Sequence, residues 1–281
     1  MNYVFFGTPR FAEIVFQKLI EGGMPPSLVV TNPDRPVGRK QIITPSPVKA
    51  LAGRYAIPLL QPEDIKNFVP TGHLPEGDKL HFAILASYGK IIPKEIIGLF
   101  PRGIVVVHPS LLPKYRGATP IQSALLAGDE ETGVSLIRMD EKVDHGPIIA
   151  ERELNKELGI MSYESLHDAL AKLSGELLLE TIPEYLAGTI TPREQNHAEA
   201  TFTRKFSADD AFVGEEELHK AETAGGETAV TIDRMIRALN PEPGVWTLRG
   251  GKRIKLLEAE LVEGKLKLKK IQEEGKTPRA V

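Results

Sequence analysis

The chain has 281 residues, an apolar share of 41%, a formal net charge of −3 and no cysteine. That length favours two domains over one, and the composition is that of a globular chain with ample core. The missing cysteines exclude a disulfide framework, a thiolate metal site and a cysteine nucleophile, and the charge excludes a globally basic nucleic-acid binder while leaving local basic patches open. The first seven residues lack the basic and apolar regions of a signal peptide, and no apolar run reaches the ~18 residues that span a bilayer. A cytoplasmic protein without membrane attachment is therefore expected.

Short apolar runs at 3–6, 27–31, 81–86, 103–108, 133–139 and 147–152 read as strands, with helical patterns at 11–20, 48–55, 94–99 and 120–127 between them. Runs such as Ile104-Val105-Val106-Val107 suit a strand buried on both faces, as parallel sheets require. Alternation of strand and helix implies right-handed crossovers and an α/β fold with a doubly wound, mostly parallel Rossmann-like sheet. The connection 140–146 is too short for a helical crossover, so the last two strands should pair antiparallel or splay apart. Gly7-Thr8-Pro9 follows the first strand without the G-x-G-x-x-G fingerprint, and reads as a tight strand-to-helix turn rather than a dinucleotide site.

Residues 162–187 form a helical pattern with Leu166, Leu170, Leu173, Leu177 and Leu178 on one face, a core-packing helix that closes the first domain. The polar stretch that follows reads as a linker, giving domains at 1–190 and 207–281 joined by 191–206. Residues 215–228, charged and carrying Gly225-Gly226, read as a loop or frayed helix, and 230–239 as a helix. Beyond Gly244 come short alternating strands at 245–248, 253–257, 258–262 and 265–271, the pattern of a small OB-like β-barrel.

Chemistry concentrates at His108. It ends an apolar strand and opens a loop bracketed by Pro109 and Pro113, and Asp144 follows a second apolar run about thirty residues on. Open α/β sheets place their chemistry at strand ends. A histidine held by a carboxylate acts as a polariser or general acid near neutral pH, while a lone histidine after a buried strand is also compatible with a satisfied core residue.

Several motifs carry a resemblance to a known family. They are Phe6-Gly7-Thr8-Pro9, Asn32-Pro33-Asp34-Arg35-Pro36, Pro45-Ser46-Pro47-Val48-Lys49, Tyr88-Gly89, His108 through Gly117, Ala118-Thr119-Pro120-Ile121-Gln122, Asp144 with Gly146-Pro147-Ile148, and Ile236-Arg237-Ala238-Leu239-Asn240-Pro241. The chain resembles the methionyl-tRNA formyltransferases, within the wider glycinamide ribonucleotide formyltransferase-like group of folate enzymes. The resemblance implies formyl transfer from 10-formyl-tetrahydrofolate to the α-amino group of methionyl initiator tRNA. A monomer is expected because nothing in the sequence demands a partner chain, and no metal site is suggested. It implies catalytic roles for His108 and Asp144, with the pterin held near Leu85, Ser87, Tyr88, Gly89, Ser110, Leu111, Leu112, Pro113 and Asp140. It further implies tRNA contacts at Arg39 and Lys40, and the basic segment with Lys252, Arg253, Lys267 and Lys269 is expected, in an OB-like fold, to track a phosphate backbone. Those last lysines alternate with apolar residues, which equally describes a solvated strand face.

The chain departs from the family pattern where it carries Val106 in place of an asparagine that holds the reacting oxygen. A valine cannot donate a hydrogen bond. His145 is the one nearby candidate to replace that donor, against the plainer reading of a partly exposed loop histidine. Residues 214–228 read as an insertion, and Glu242 replaces a usual tryptophan. An amino-sugar nucleotide acceptor and a catalytically weakened folate- or tRNA-binding relative stay open as alternatives.

Overall fold

In the computed structural model, residues 2–38, 40–68 and 80–281 are described. Strand β1 (Tyr3–Gly7) is buried throughout, and helix α1 (Arg10–Glu21) turns Phe11, Ala12, Val15, Phe16 and Leu19 to the same core. Strand β2 (Leu28–Val30) leads into a hairpin of β3 (Arg35–Val37) and β4 (Ile42–Thr44), which the sequence reading did not anticipate. Helix α2 (Pro47–Arg54) starts at Ser46, whose hydroxyl accepts the Lys49 backbone N–H at 3.1 Å, with Pro47 in the first turn. Then come β5 (Leu59–Leu60), β6 (Phe82–Ala86), the short helix α3 (Lys94–Ile97) and the wholly buried β7 (Ile104–His108). Strand β8 (Arg116–Gly117), helix α4 (Pro120–Ala127), β9 (Gly133–Arg138), β10 (Ile148–Glu153) and the long α5 (Tyr163–Ala187) follow.

The main sheet runs β10-β9-β7-β6-β1-β2-β5. Five of its strands are parallel, from β7 to β5, and β9 lies antiparallel to both β7 and β10. The short 140–146 connection thus gives the antiparallel pair its length requires. The doubly wound, mostly parallel fold is as expected.

The chain beyond carries β11 (Phe202–Thr203), helices α6 (Glu215–Thr223) and α7 (Glu227–Leu239), and strands β12 (Trp246–Arg249), β13 (Lys252–Val262), β14 (Lys265–Glu273) and β15 (Arg279–Ala280). The last four form an antiparallel sheet in sequential order, consistent with an OB-like domain. One open reading is settled as a helix and one expectation changes. Residues 215–223 are helical because Glu215, Glu216 and Glu217 complement the positive helix start while Leu218 and Ala221 are buried. The strands read at 253–257 and 258–262 are one strand, with irregular register between Leu256 and Ala259 that breaks the alternation without ending the pairing.

The compact units are not linear in sequence. The first comprises Met1–Arg116, Gly133–Leu154 and His167–Thr201; the second comprises Gly117–Thr132, Asn155–Leu166 and Phe202–Val281. Helix α4 lies in the second, where the Arg234 guanidinium donates to Ala127 O at 3.2 Å. Residues 191–201, read as linker from their polarity, group with the first: Ile148 and Arg193 exchange two backbone hydrogen bonds of 2.7 Å.

Candidate active site

The carboxyl ends of β1, β6 and β7 lie level, Gly7 opposite Ala86 and Ala86 opposite Val107, so Thr8, Ser87 and His108 leave the sheet side by side. The turn after β6 uses left-handed backbone at Ser87 (φ 49°) and Gly89 (φ 81°). The Asn32 side-chain amide donates to Tyr88 O at 2.7 Å and braces that turn. The two separate proline-rich motifs of the sequence meet here. Lys49 Nζ lies 2.6 Å from Asp34 Oδ2, Gln61 donates to the other oxygen at 2.8 Å, and the Thr31 and Ser46 hydroxyls share a 2.9 Å bond. The hydrogen bonds from Lys49 and Gln61 hold the Asp34 carboxyl below its ordinary range.

The polar groups of the loop after His108 find partners within the protein. Leu112 N–H donates to Ser135 Oγ at 3.0 Å, and that oxygen also lies 2.8 Å from Ser110 O and 3.0 Å from Glu151 Oε1. Ser110 Oγ donates to Lys114 O at 2.6 Å. Register explains the anchor, since His108 stands opposite Ser135 in the antiparallel β7–β9 pair. His108 Nε2 is 3.0 Å from Tyr115 O, so the carbonyl requires a proton on that nitrogen.

Asp144 reaches His108 by a less direct route than strand-end geometry suggests. Because β9 runs against β7, its carboxyl end lies beside the start of β7, where Met139 N–H donates to Ile104 O at 2.8 Å. Four residues separate Ile104 from His108, about 13 Å along a strand. The 139–147 loop covers that distance and returns: its ends are joined by Arg138 N–H donating to Pro147 O at 2.9 Å. At its far side Asp144 Oδ2 stands 3.5 Å from His108 Nδ1, with the two side chains 5% (His108) and 15% (Asp144) exposed. Asp144 itself takes left-handed backbone (φ 47°), a conformation that costs energy for a non-glycine residue and persists only where its surroundings impose it.

Val106 shares the His108 face of β7 by the two-residue period of a strand, and packs in a buried apolar cluster with Leu112, Ile137 and Ile148, flanked by Leu85 and Met139. His145 does not stand in for the absent donor as a free group. Its Nδ1 is 2.6 Å from Asp140 Oδ2, and its ring stacks on His197 with centroids 4.0 Å apart and planes 6° apart.

A family model described as "Formyl transferase" matches residues 1–182, and a second, "Formyl transferase, C-terminal domain", matches residues 226–278. The chain belongs to the formyl transferase family. A methionyl-tRNA formyltransferase of Nitrosomonas eutropha is 38% identical over 262 residues, covering 93% of this chain and 79% of that protein. Among solved structures, the methionyl-tRNA formyltransferase from Clostridium thermocellum superposes with a TM-score of 0.61 at 20% identity, over 97% of this chain and 98% of that one. An N-formyltransferase from Helicobacter canadensis, solved with folinic acid and dTDP-3-aminofucose, gives 0.62 at 18% identity, over 92% and 87%. At such identities the two structures attest the formyltransferase fold alone.

The residues expected to meet tRNA are less gathered. Arg39 lies outside the described residues, and Lys40 is exposed beside the β3–β4 hairpin. In the second unit Lys252 and Lys267 are exposed, Lys269 Nζ pairs with Glu260 at 3.1 Å, and Lys267 stands opposite the same glutamate. The Arg253 guanidinium lies 4.3 Å over the Trp246 ring. The most basic segment of the sequence is thus an exposed strand face of mixed sign. Among the described residues no helix is long and apolar enough to cross a membrane, and no group of three or more His, Cys, Asp or Glu could hold a metal.

Sequence reasoning missed the polar side chains behind Asp144. Gln195, from the stretch read as linker, donates to Asp144 O and Gly146 O, and Arg116 donates to Gln195 and to His197 Nδ1. The only signal was the place of Arg116 in a recognisable motif; nothing local marks Gln195.

Proposed function

We propose that this chain transfers the formyl group of 10-formyl-tetrahydrofolate to the α-amino group of methionyl initiator tRNA, with His108 and Asp144 as its catalytic residues. The observation that carries the reading is their meeting at 3.5 Å from two loops far apart in the chain, within the formyl transferase family. That separation exceeds a hydrogen bond, so a third polar atom can lie within reach of both. The folate supplies an activated formyl carbon. His108, protonated on Nε2 toward Tyr115 O, offers its Nδ1 edge to that position, and as imidazolium it stabilises negative charge developing on the formyl oxygen. Asp144 balances the imidazolium and takes up the proton of the attacking amine, and that proton passes to the folate nitrogen as its bond to the formyl carbon breaks.

The pterin is assigned to the backbone at Leu85, Ser87, Tyr88 and Gly89 and at Ser110, Leu111, Leu112 and Pro113, with Asp140 beside them. One observation at the first turn supports this: among the described residues Asn32 Oδ1 is a buried acceptor with no hydrogen-bond partner, on the same amide that braces Tyr88, and it suits an N–H-bearing heterocycle. The tRNA contacts are assigned to Arg39, Lys40, Lys252, Arg253, Lys267 and Lys269. Relatives bearing the methionyl-tRNA formyltransferase name along 93% of the chain favour this acceptor over an amino-sugar nucleotide. We place the protein in the cytoplasm as a monomer, in keeping with a cysteine-free chain acting in translation.

The test is formyl transfer to methionyl initiator tRNA beside a dTDP-amino sugar as rival acceptor, with wild type and Asp144→Asn. Turnover on tRNA that falls about 10²- to 10⁴-fold in the variant is expected for loss of a general acid–base partner. Transfer to the sugar alone, or full activity without the carboxylate, would remove the reading.

A further inference from the structure

We propose that Gln195 and Arg116 are positioning residues that hold the Asp144 carboxylate against His108, an inference that rests on reading those two as catalytic. Gln195 is 5% exposed and Arg116 3% exposed. The orientation of the amide is settled by chemistry. A guanidinium has only donors, so the Gln195 atom 2.6 Å from Arg116 Nη2 and 3.2 Å from its Nε is the oxygen. The two hydrogens of Gln195 Nε2 then go to Asp144 O at 3.0 Å and Gly146 O at 2.7 Å. One nitrogen pins the carbonyls on either side of His145 and with them the turn that carries Asp144.

The other end of the bridge lies in the loop that holds His108. Tyr115 O takes the His108 Nε2 contact, and the next residue is Arg116, whose backbone N–H donates to Thr201 O at 2.9 Å. Tyr115 N–H donates to Thr201 Oγ1 at 2.7 Å, so the segment holding Gln195 also fixes this loop. Arg116 Nη2 further donates to His197 Nδ1 at 2.9 Å, and that ring covers His145 in the turn. Guanidinium and amide therefore tie together the loops that bring the two catalytic side chains to one place. Asp144 gains from such a tie, because its left-handed backbone costs energy even though aspartate tolerates it better than most residues. The bonds to the carbonyls on either side of His145 help to offset that cost. A misplacement of about 1 Å in a catalytic group costs on the order of 10²-fold in rate.

The decisive variant is Gln195→Glu. It keeps an oxygen for Arg116 but sets a second oxygen against Asp144 O and Gly146 O, so the buried bridge survives and the tie to the turn does not. In formyl transfer to methionyl initiator tRNA, kcat is expected to fall about 10- to 100-fold, with KM for both substrates within about twofold of wild type. Placed on Asp144→Asn, the same change is expected to add less than about twofold, because there is no carboxylate left to position. Arg116→Lys, which leaves one donor for the Gln195 oxygen, carries the same test with a smaller fall should Gln195→Glu prove insoluble. Losses that multiply in the double variants, or a rise in KM with kcat intact, overturn the proposal. Full activity of Gln195→Glu beside a crippled Asp144→Asn overturns it and leaves the catalytic assignment standing. An active Asp144→Asn removes the assignment itself.

Discussion

The clamp of buried polar side chains that holds the His108 loop and the Asp144 turn uses charged and polar residues in the opposite way to the sheet β13–β14. In the clamp Arg116, Gln195 and Ser135 are buried, and the protein supplies each with two or more hydrogen bonds. On the sheet, Lys269 pairs with Glu260 and Lys270 with Glu258, at side-chain exposures of 44% to 61%. Burial raises the cost of every unmatched group, so the clamp has few tolerable alternatives. Water and salt screen the exposed pairs, so the sheet has many. On the proposed assignment the reaction depends on the first region, whereas tRNA affinity can drift in the second. Substitutions in the two regions should therefore differ in size as well as kind.

Apart from loss of the Asp144 carboxylate itself, the largest effect is expected at Val106. Restoring a carboxamide there with Val106→Asn supplies one donor on the His108 face, and one such donor contributes about 10²- to 10³-fold in turnover. The same change sets a polar group among Leu112, Ile137 and Ile148, and is expected to lower stability by about 1–3 kcal/mol while that donor is unengaged. Single-turnover transfer and urea unfolding together check both halves. Equal or lower rates would mean that the site is organised around valine.

Next comes Gly146→Ala. A Cβ at Gly146 would stand 1.8 Å from Arg138 O and 3.0 Å from its carbonyl carbon, both backbone atoms at the joined ends of the loop. The expected loss is at least about 2–3 kcal/mol of stability, with activity lost alongside. The counterpart on the sheet is Gly264→Ala, where φ is 75° but a Cβ meets nothing within 4 Å. Left-handed strain alone costs about 1–2 kcal/mol there, and transfer should be unchanged. Should the two alanine variants unfold at the same urea concentration, the loop closure is not as tight as its geometry requires.

A subtler contrast concerns pH. Loss of water around His197, then the charges of His145 and Arg116, lower its pKa below the ordinary 6.5, against an opposing pull from Glu194. A depressed histidine favours the folded protein above its unfolded pKa, and that contribution is lost as pH falls through it, because the unfolded chain takes up the proton first. The unfolding midpoint should therefore drop between about pH 7.5 and 5.5 more in wild type than in His197→Asn, which keeps an acceptor for Arg116 and does not titrate. Parallel profiles would show that the ring is uncoupled from the clamp.

How much of this was legible follows from the range of the forces involved. Strands such as β1 and β7 are unbroken apolar runs because both faces are buried, so sequence alone finds them. His108 and its proline-bracketed loop were legible for the same reason, being contiguous with a strand. The β3–β4 hairpin was not, since Ile42 and Ile43 are both exposed, 60% and 70%, and give no alternation to read. Helix α6 was left open between a loop and a frayed helix, because its charge and Gly225-Gly226 just beyond it blur the pattern. Gln195 was beyond reach of any local rule, because its partners Arg116, Asp144 and Gly146 lie about fifty to eighty residues away and polarity alone looks like a linker. Asp144 comes near His108 only through the return of the 139–147 loop, since the antiparallel β9 ends at the opposite end of β7, and no local pattern shows that return.

The smallest effect belongs to the sheet, and it shows what the lysines there do. Lys269→Gln removes a cation whose partner, Glu260, also stands opposite Lys267. Exposed pairs of this kind contribute about 0.2–1 kcal/mol, and here the neighbouring lysine remains to balance the glutamate, so stability should move by a few tenths at most. A phosphate-tracking surface would respond differently, since every contacting lysine lost lowers the slope of log affinity against log salt by about one for duplex and rather less for single strands. Lys252 and Lys267, for which no ion pair is found among the described residues, should then lower that slope when replaced by glutamine. Lys269, already engaged by Glu260, should lower it less. Identical slopes for all three variants and wild type would place the tRNA contact elsewhere, leaving this strand face merely solvated.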